Sequence, residues 1–405
     1  MSARRPVAIA YDCLFPYTTG GGERQYRAFA EAMIDRGRPV EYLTARQWDD
    51  AHVPAERFAV RTVTGRLRLY DAEGVRRSAA AVRFAAGLFA GLVRRRRSYD
   101  AVLVSGLPVL NVFAARLALV GSRTPLAVDF LEVWGRHQWV DYAGQTMGNV
   151  AWGLQRLAIA LTPIATCHSQ LSARRLRAEG FRRELVVSPG LIDDRSAPPA
   201  TTATAPSDPP VVLYAGRHIA DKRVESIPAA VAYARRTTPD LRLVILGSGP
   251  QSPAVDAAIT AVHGESWTDR PGFVSEGELA ELMASATALV NPSRREGYGL
   301  VVVEAAATGT PVVLVDGESN AATELVRPGV NGAIAQSAEA ESLGAAIAEV
   351  VAAGDDLRAR TREWYSQAIR TRTIGRTVDG ILAAFGRSGE QNRGARAGSA
   401  QEGPL

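Results

Sequence analysis

Short apolar runs alternate with longer segments of helical composition along the first half of the chain. The runs have the length of buried strands, and the segments between them repeat apolar residues at helical spacing. The predicted strands are Pro6–Cys13, Val40–Leu43, Val60–Val63, Ala101–Ser105, Leu126–Phe130, Pro163–Cys167 and Leu185–Val187. The predicted helices are Glu23–Arg36, Val75–Arg96 and Val109–Leu119, with a further helix opening at His168 and Ser169. This alternation predicts a parallel sheet covered by helices.

A second alternation begins at Val211, after a low-complexity segment at 196–210 that is rich in Pro, Thr and Ala. Its predicted strands are Val211–Ala215, Leu241–Leu246, Pro271–Val274, Thr287–Val290, Pro311–Val315 and Gly332–Ile334. We therefore predict an α/β protein with two Rossmann-like, doubly wound domains, 1–195 and 211–356, facing each other across a cleft and joined by a hinge at 196–210. Helices at 357–385 could pack back on the first domain. The Gly-, Ser-, Arg- and Gln-rich tail at 386–405 is predicted to be disordered.

The segment at 132–146 lacks a clear period and is rich in aromatic and polar groups, so it is predicted to be irregular. Some of its side chains can stack on a sugar or cover an apolar acceptor: Trp134, Trp139 and Tyr142. Others can form hydrogen bonds to a ligand: Glu132, Arg136, His137 and Asp141. Aromatic side chains that merely pack a loop explain the same composition.

Composition narrows the class of partner. The net charge of +5 and the isoelectric point near 9.4 are mild. The sequence pattern does not include a basic face interleaved with aromatic residues, which would suggest nucleic-acid binding. Cys13 and Cys167 lie in apolar strand patterns and are interpreted as reduced core residues. The sequence has no spacing typical of a metal site, no signal peptide, and no apolar stretch of the roughly 20 residues that a membrane span needs. We therefore expect a cytoplasmic protein.

The arginine run Arg94–Arg97 ends the predicted helix at 75–96. One interpretation is a core-packing helix whose arginines lie in water near the negative end of the helix dipole. The other is a helix that docks on an anionic membrane surface, which would make the protein peripheral at the inner membrane face.

The stretch at 291–309, NPSRREGYGLVVVEAAATG, predicts a strand end, a glycine-bearing loop and a helix N-terminus. First-turn amides near Gly299, Leu300 and Val301 can bind a phosphate. Glu296 would lie in the loop and Glu304 in the second turn of the helix, where carboxylates can accept from hydroxyls. This combination suggests a sugar nucleotide, although two solvated surface carboxylates would give the same pattern.

Two cations follow the first predicted strand of the second domain, at the carboxyl edge where doubly wound sheets bind ligands. Arg217 and Lys222 can clamp a diphosphate there and neutralise the charge of a departing nucleotide; surface charge around a helix start is the alternative. In the first domain, the glycines before Glu23 do not have the spacing of the dinucleotide fingerprint, which disfavours a nicotinamide cofactor.

Several of these motifs together resemble glycosyltransferase family 4. They are GRHIADK at 216–222, ILGSGP at 245–250, PGFVSEGEL at 271–279, and EGYGLVVVEAAATGTPVV from Glu296, with seven residues between its two glutamates. The first domain resembles the family less sharply, through GGGE at 20–23 and His168-Ser169. The resemblance implies a GT-B fold and a retaining, metal-independent transfer.

The resemblance also implies roles for individual residues. Arg217 and Lys222 would hold the diphosphate, Glu296 the transferred sugar and Glu304 the ribose hydroxyls. Backbone contacts to phosphate would come from Gly299, Leu300 and Val301, and contacts to the base from Gly247, Ser248, Phe273 and Val274. On the first domain, substrate would approach Gly20, Gly21, Gly22 and His168. Many family members have a His-Asp or His-Glu pair after the strand at 126–130, but here Leu131 precedes Glu132, which we choose as the group that assists the acceptor.

The preferred hypothesis is a retaining glycosyltransferase of the hexosyltransferase type. It would move a sugar from a nucleotide-diphosphate donor, a substrate rather than a cofactor, to a hydroxyl of a small-molecule, glycan or lipid-linked acceptor. A sugar-nucleotide epimerase or hydrolase and an inactive nucleotide-sugar-binding partner remain alternatives. Neither the donor base, nor the sugar, nor the acceptor can be read from the sequence.

Overall fold

The structure, a computed structural model of the chain, describes residues 4–18, 20–49, 54–69, 76–195 and 206–399. Its described residues form two units: one comprises the chain up to Asp194 together with 372–399, and the other comprises 195–371. The boundary coincides with the predicted linker, of which 196–205 lie outside the described residues.

The first unit contains a parallel sheet that has seven strands in its described part. These are β1 Val7–Ala10, β2 Val40–Ala45, β3 Ala59–Thr64, β4 Ala101–Ser105, β5 Leu126–Phe130, β6 Ile164–Cys167 and β7 Glu184–Val187, in the order β3-β2-β1-β4-β5-β6-β7. Val7 is in register with both Val40 and Ala101, so β1 lies between β2 and β4. The chain therefore reverses its direction across the sheet after β3, and the loops after β1 and β4 meet at a topological switch point.

Among the described residues, five helices connect these strands: α1 Gly21–Asp35, α2 Ser78–Arg95, α3 Leu110–Ala118, α4 Arg136–Leu161 and α5 Gln170–Ala178. Buried side chains of α2 to α5 share one apolar core with the strands, represented by Phe84, Val112, Ile159 and Leu176. Ser169 caps α5, since its side chain accepts from the Ser172 amide at 3.1 Å, as expected for a helix opening at this position. Cys13 and Cys167 are buried free thiols.

The prediction of an irregular segment at 132–146 was wrong, because α4 begins at Arg136. The helix bends at Gly144 (φ 76°, ψ 169°). Its buried side carries the polar or small residues Gln138, Gly148 and Gln155, while several of its large apolar side chains face solvent. Helices are usually predicted from an apolar stripe that faces the core. In α4 the apolar stripe faces solvent, so this pattern did not predict the helix.

The second unit repeats the parallel architecture. Its strands are β8 Val211–Ala215, β9 Arg242–Leu246, β10 Thr268–Gly272, β11 Ala288–Asn291, β12 Arg295–Glu296, β13 Val312–Val315, β14 Ser319–Asn320 and β15 Gly332–Ala335. The main sheet has the order β10-β9-β8-β11-β13-β15, and β12 pairs with β14 separately. Its helices are α6 Ile227–Ala234, α7 Ser252–Ala261, α8 Glu276–Ser285, α9 Leu300–Ala307 and α10 Ala340–Thr371. The switch point lies between β8 and β11. Two Rossmann-like domains are thus confirmed.

After α10 the chain returns to the first unit as α11 Ile374–Ser399. The Ile374 amide donates to the Ile192 carbonyl at 2.8 Å, and the Gly375 amide donates to Asp194 Oδ2 at 2.6 Å. The segment from residue 372 onward belongs to the first unit, whereas 357–371 belong to the second unit, where Arg358 Nη1 donates to the Ala286 carbonyl at 2.6 Å.

The predicted disordered tail was wrong for 386–399, which continue α11. A packed first half of a helix already provides the nucleus, so adding Arg-, Ala-, Glu- and Gln-rich turns costs little despite the glycines. Residues 400–405 lie outside the described residues.

Candidate active site

Glu296 accepts hydrogen bonds from two loops that follow adjacent strands at the switch point of the second sheet. Lys222, after β8, forms an ion pair with its Oε1 atom. Asn291 Nδ2 and Ser293 Oγ, at the end of β11, donate to the same atom at 3.2 and 3.1 Å. Three donors on one oxygen fix the carboxylate, and the Lys222 and Glu296 side chains remain 23% and 14% exposed, so a ligand can reach the pair.

A second set of bonds holds the Glu296 loop. Glu296 is in parallel register with Asn320, whose Nδ2 donates to the Ser293 carbonyl at 3.2 Å and to the Val315 carbonyl at 2.9 Å. The Arg294 amide donates to the Asp221 carbonyl at 2.8 Å, and this bond joins the Lys222 loop to the Glu296 loop. The ion pair therefore rests on a rigid support, as a preorganised site requires.

Lys222 is the single lysine of the chain, and every other basic side chain, histidine aside, is an arginine. An ammonium is a compact point charge, whereas a guanidinium is a broad planar fork. An arginine at position 222 would therefore bring a broader head group to Glu296 than the lysine does. Sequence inspection had selected Lys222 without using this feature.

Arg217 lies on the same loop, with its side chain exposed. Its carbonyl accepts from the buried Tyr214 hydroxyl at 3.1 Å. Burial, reinforced by the charge of Glu296, raises the pKa of Tyr214, so this phenol stays a neutral donor. The structure thus joins Lys222 to Glu296 directly and leaves Arg217 on the same loop with a solvent-facing head group.

Helix α9 begins directly after the Glu296 loop. Gly299, its N-cap, has φ 97°, and a Cβ there would lie 2.6 Å from the Ala322 Cβ, so a side chain would be both strained and crowded. The first-turn amides of Leu300 and Val301 are groups that an α-helix leaves without an intrahelical acceptor. Glu304 lies in the second turn and is half-buried, as the sequence predicted.

The loop after β9 packs its backbone tightly against the Arg217 loop. Gly247 has φ 100°, and a Cβ there would lie 2.0 Å from the Gly216 carbonyl oxygen. The Ser248 carbonyl accepts from the His218 amide at 3.0 Å. The His218 ring is buried, with Nδ1 2.9 Å from Ser252 Oγ, and burial lowers its pKa.

The loop after β10 contains the other two predicted base contacts. β10 begins three residues before the predicted strand and ends two residues before the end of that strand, at Gly272, so Phe273 and Val274 follow the strand rather than belonging to it. Phe273 is 75% exposed. A large aromatic surface at the carboxyl edge of a sheet is available to a flat ligand.

Three glycines of the first unit lie at the start of α1. Gly20 precedes α1, Gly21 is its first residue, and Gly22 follows. A Cβ on Gly22 would lie 2.7 Å from the Tyr11 hydroxyl, and a Cβ on Gly20 would lie 2.3 Å from Glu23 Oε2, at the flexible end of that side chain. The Tyr11 ring therefore limits the space beside Gly22.

Asp129, at the end of β5, is the main polar group that sequence inspection missed. It is fully buried, and its carboxylate accepts from Gln25 Nε2 at 3.0 Å and from the Tyr26 hydroxyl at 2.8 Å. Thr166 also donates to it, and His168 Nε2 lies 2.8 Å from Oδ1. His168, predicted to contact substrate, thus has a buried ring directed at Asp129. An acidic residue inside the apolar run LAVDF was the available signal.

Glu132 lies beside aromatic residues. Trp134 Nε1 donates to Glu132 Oε2 at 2.7 Å. The Trp134 ring lies 4.7 Å from Trp139 and 5.1 Å from Tyr142, measured between centroids. The aromatic side chains of this segment therefore pack on one another, and the Glu132 carboxylate is held by this cluster.

Comparisons with known proteins agree with this geometry. Residues 202–367 match the family model described as Glycosyl transferases group 1. The chain is 30% identical over 200 residues to D-inositol 3-phosphate glycosyltransferase of Segniliparus rotundus (47% of this chain, 43% of the relative), 32% identical over 127 residues to alpha-D-kanosaminyltransferase of Streptomyces kanamyceticus (31% and 32%), and 30% identical over 220 residues to glycogen synthase of Mycobacterium tuberculosis (54% and 52%). The chain thus spans about half, or less, of the length of these relatives.

Solved structures extend the likeness to the whole fold. Sucrose-phosphate synthase from Thermosynechococcus elongatus superposes with a TM-score of 0.75 at 19% identity, covering 95% of this chain and 99% of that one. HepE of Anabaena, solved with UDP and glucose, superposes with a TM-score of 0.69 at 17% identity, covering 95% and 100%. The chain therefore has the GT-B glycosyltransferase fold, and its second half carries a segment that matches glycosyl transferases group 1.

Proposed function

We propose that the protein is a retaining glycosyltransferase that moves a sugar from a nucleotide-diphosphate donor to an acceptor hydroxyl. The observation that carries the proposal is the Lys222–Glu296 pair, held between the loops after β8 and β11 and adjoining the N-terminus of α9. Two relatives are named as glycosyltransferases and a third as a glycogen synthase, which supports the same class of reaction. The chain also shares its fold with a protein solved with UDP and glucose.

The site offers separate groups for each part of a donor. Lys222 and the exposed Arg217 would neutralise the diphosphate, and the amides of Leu300 and Val301 would donate to its oxygens. Glu296 would accept from hydroxyls of the transferred sugar, and Glu304 from the ribose. In this assignment a bound diphosphate replaces Glu296 as a partner of Lys222, and the hydrogen bonds from Asn291 and Ser293 keep Glu296 in place.

The proposed reaction is a same-face displacement. The bond between the anomeric carbon and the β-phosphate oxygen breaks as the acceptor oxygen bonds to that carbon on the same side. Lys222 and Arg217 stabilise the negative charge that develops on the departing β-phosphate oxygen, the acceptor proton passes to that oxygen, and the nucleoside diphosphate leaves. Metal independence belongs to this proposal, because two cations and the helix amides would supply the positive charge.

The acceptor is proposed to bind to the first unit, near the glycines 20–22 and Glu132. Glu132 is bound to Trp134, so the aromatic side chains would position it beside the acceptor. We propose that His168 and Asp129 support this region structurally and do not touch substrate, because both side chains are buried.

The test begins with a thermal-shift screen of UDP-, GDP- and dTDP-sugars, since a ligand that binds the folded state raises its melting temperature. The stabilising donor is then incubated with candidate acceptor alcohols, and NMR coupling constants of the product report its anomeric configuration. Retention, with a product that forms only when acceptor is present, supports the proposal. Inversion would refute the same-face step, and isomerised or free sugar from donor alone would identify an epimerase or a hydrolase.

A further inference from the structure

Helix α2 has a second apolar stripe that faces solvent. Its buried side is formed by residues such as Phe84, Leu88 and Leu92. On the other side, Val82, Phe89 and Val93 are 55%, 41% and 40% exposed, and they follow one another at the spacing of a single helix face. Large apolar side chains scattered singly on a surface are ordinary, but a regular stripe is not.

The next two helices carry stripes of the same kind. On α3 and just beyond it, Leu117 and Val120 are each 64% exposed. The second half of α4 exposes four large apolar side chains at intervals of three and four residues: Met147, Val150, Leu154 and Leu157. Because this apolar stripe faces solvent and the polar residues of α4 face inward, the sequence pattern did not predict the helix.

The three stripes belong to one layer of helices. The connections through α2, α3 and α4 move in one direction across the sheet, from β3 to β4, then to β5 and then to β6. Right-handed crossovers that move in one direction place their helices on the same face of the sheet. Their inner sides join the same apolar core. Their outer sides therefore form a common surface, called here the outer helical face, which stays exposed in the described part of the chain.

The charged side chains of α2, α3 and the part of α4 after Gly144 are all arginines. The sequence has no Asp or Glu at 76–99, 101–128 or 142–178, the segments that contain α2, α3 and most of α4. Arginines border the apolar stripes in the same segments, and the exposed ones include Arg83, Arg94 and Arg97 on and after α2, Arg123 after α3, and Arg156 on α4. Two acids outside these segments pair with their arginines: Glu41 lies 3.7 Å from Arg95, and Glu179 lies 3.7 Å from Arg156.

We propose that the outer helical face docks on an anionic membrane surface. Apolar side chains on a helix layer can enter the acyl boundary while arginines at the rim bind lipid phosphates. An interface between protein copies would bring arginine-rich rims together, whereas an anionic bilayer supplies the opposite charge. Among the described residues no helix has the length and apolarity to cross a bilayer, so the contact would be peripheral.

Cosedimentation of the full chain with vesicles tests the proposal. At low salt, the protein should pellet with vesicles of equal parts phosphatidylglycerol and phosphatidylcholine, and stay in the supernatant with phosphatidylcholine alone. Leu154→Glu combined with Phe89→Glu should lower the partition coefficient at least about tenfold, because each charge enters the apolar part of the contact. Arg94→Glu with Arg97→Glu should lower it by a similar factor, whereas Arg94→Lys with Arg97→Lys should retain binding.

Two controls keep the result interpretable. Ala257→Glu combined with Thr260→Glu adds two negative charges, as Leu154→Glu with Phe89→Glu does, at exposed positions of α7 in the second unit and should leave binding unchanged. Circular dichroism and melting curves check that the outer-face variants are folded. Binding that ignores lipid charge, or that survives both sets of substitutions in folded protein, would overturn the proposal. So would a stable dimer in light scattering that the Leu154→Glu and Phe89→Glu variant converts to monomer.

Discussion

The carboxyl edges of the two sheets use charged groups in opposite ways. In the second unit, Lys222 and Glu296 meet at the switch point and stay partly exposed. In the first unit, Asp129 is completely buried. Its carboxylate accepts hydrogen bonds from Gln25, Tyr26 and Thr166, and it lies 2.8 Å from His168 Nε2. An accessible ion pair can exchange its partner for a ligand, whereas a buried carboxylate with protein donors holds elements together. The comparison supports the proposal that Lys222 and Glu296 bind the donor, whereas Asp129 has a structural role.

The largest expected effect is on turnover in Glu296→Gln. The substitution removes the charge but keeps the shape, so donor binding should persist while kcat falls by about 10²–10³, as for the loss of one preorganised group acting on the transition state. Steady-state kinetics with the donor found by the screen measures this. Glu281→Gln, at an exposed position of α8, is the matched control and should have the kcat of the original protein. Unchanged turnover in Glu296→Gln would remove Glu296 from the mechanism.

Lys222→Met should lower kcat by about 10² and weaken nucleoside diphosphate binding, because the charge on the leaving group is then neutralised by Arg217 alone. Lys222→Arg keeps the charge and tests the shape. We expect it to recover only part of the activity, since the guanidinium fork is broader than the ammonium it replaces. Full recovery in Lys222→Arg would show that the site requires charge alone.

The sequence predicted the second edge better than the first for physical reasons. Glu296, Lys222 and the α9 N-terminus lie in loops and helix starts whose glycine and charge spacing is visible in the chain. The Asp129 cluster joins α1, β5 and β6, segments separated by more than 100 residues in one case, so only folding brings Gln25 to Asp129. The bounds of β10 and the helix α4 were mispredicted for a related reason. Both depend on which side of the element is covered by its neighbours.

Asp129→Asn should reduce stability by about 2 kcal/mol, because the amide presents a donor where the carboxylate accepted from several groups. Burial and the Asp129 charge both raise the pKa of Tyr26, which keeps that hydroxyl a donor. Denaturant unfolding measures the loss, and Asp240→Asn, an exposed change, is the control. In folded Asp129→Asn protein, kcat should stay within a few fold of the original. A fall as large as that of Glu296→Gln would end the contrast between the two edges.

The smallest expected effect concerns pH. Burial lowers the pKa of His218 below its ordinary 6.5, so just under this pH the unfolded chain binds a proton that the folded chain does not. The contribution of His218 to the free energy of unfolding should therefore decline as pH falls from about 6.5 towards the folded pKa, by at most about 1.4 kcal/mol per pH unit. His218→Asn, which can keep a bond to Ser252, should flatten this slope. An equal slope in both proteins would contradict the assignment.

The most direct test of the donor site uses the single lysine. Protein labelled with ¹³C at the lysine ε-carbon and carrying no added lysine should give one side-chain signal from Lys222. We predict that saturation with the nucleoside diphosphate of the preferred donor shifts this signal, that the nucleoside without phosphates leaves it in place, and that Glu296→Gln alters it before any ligand is added. A signal that does not move when melting curves show the diphosphate to be bound would contradict the claim that Lys222 holds the donor phosphate beside Glu296.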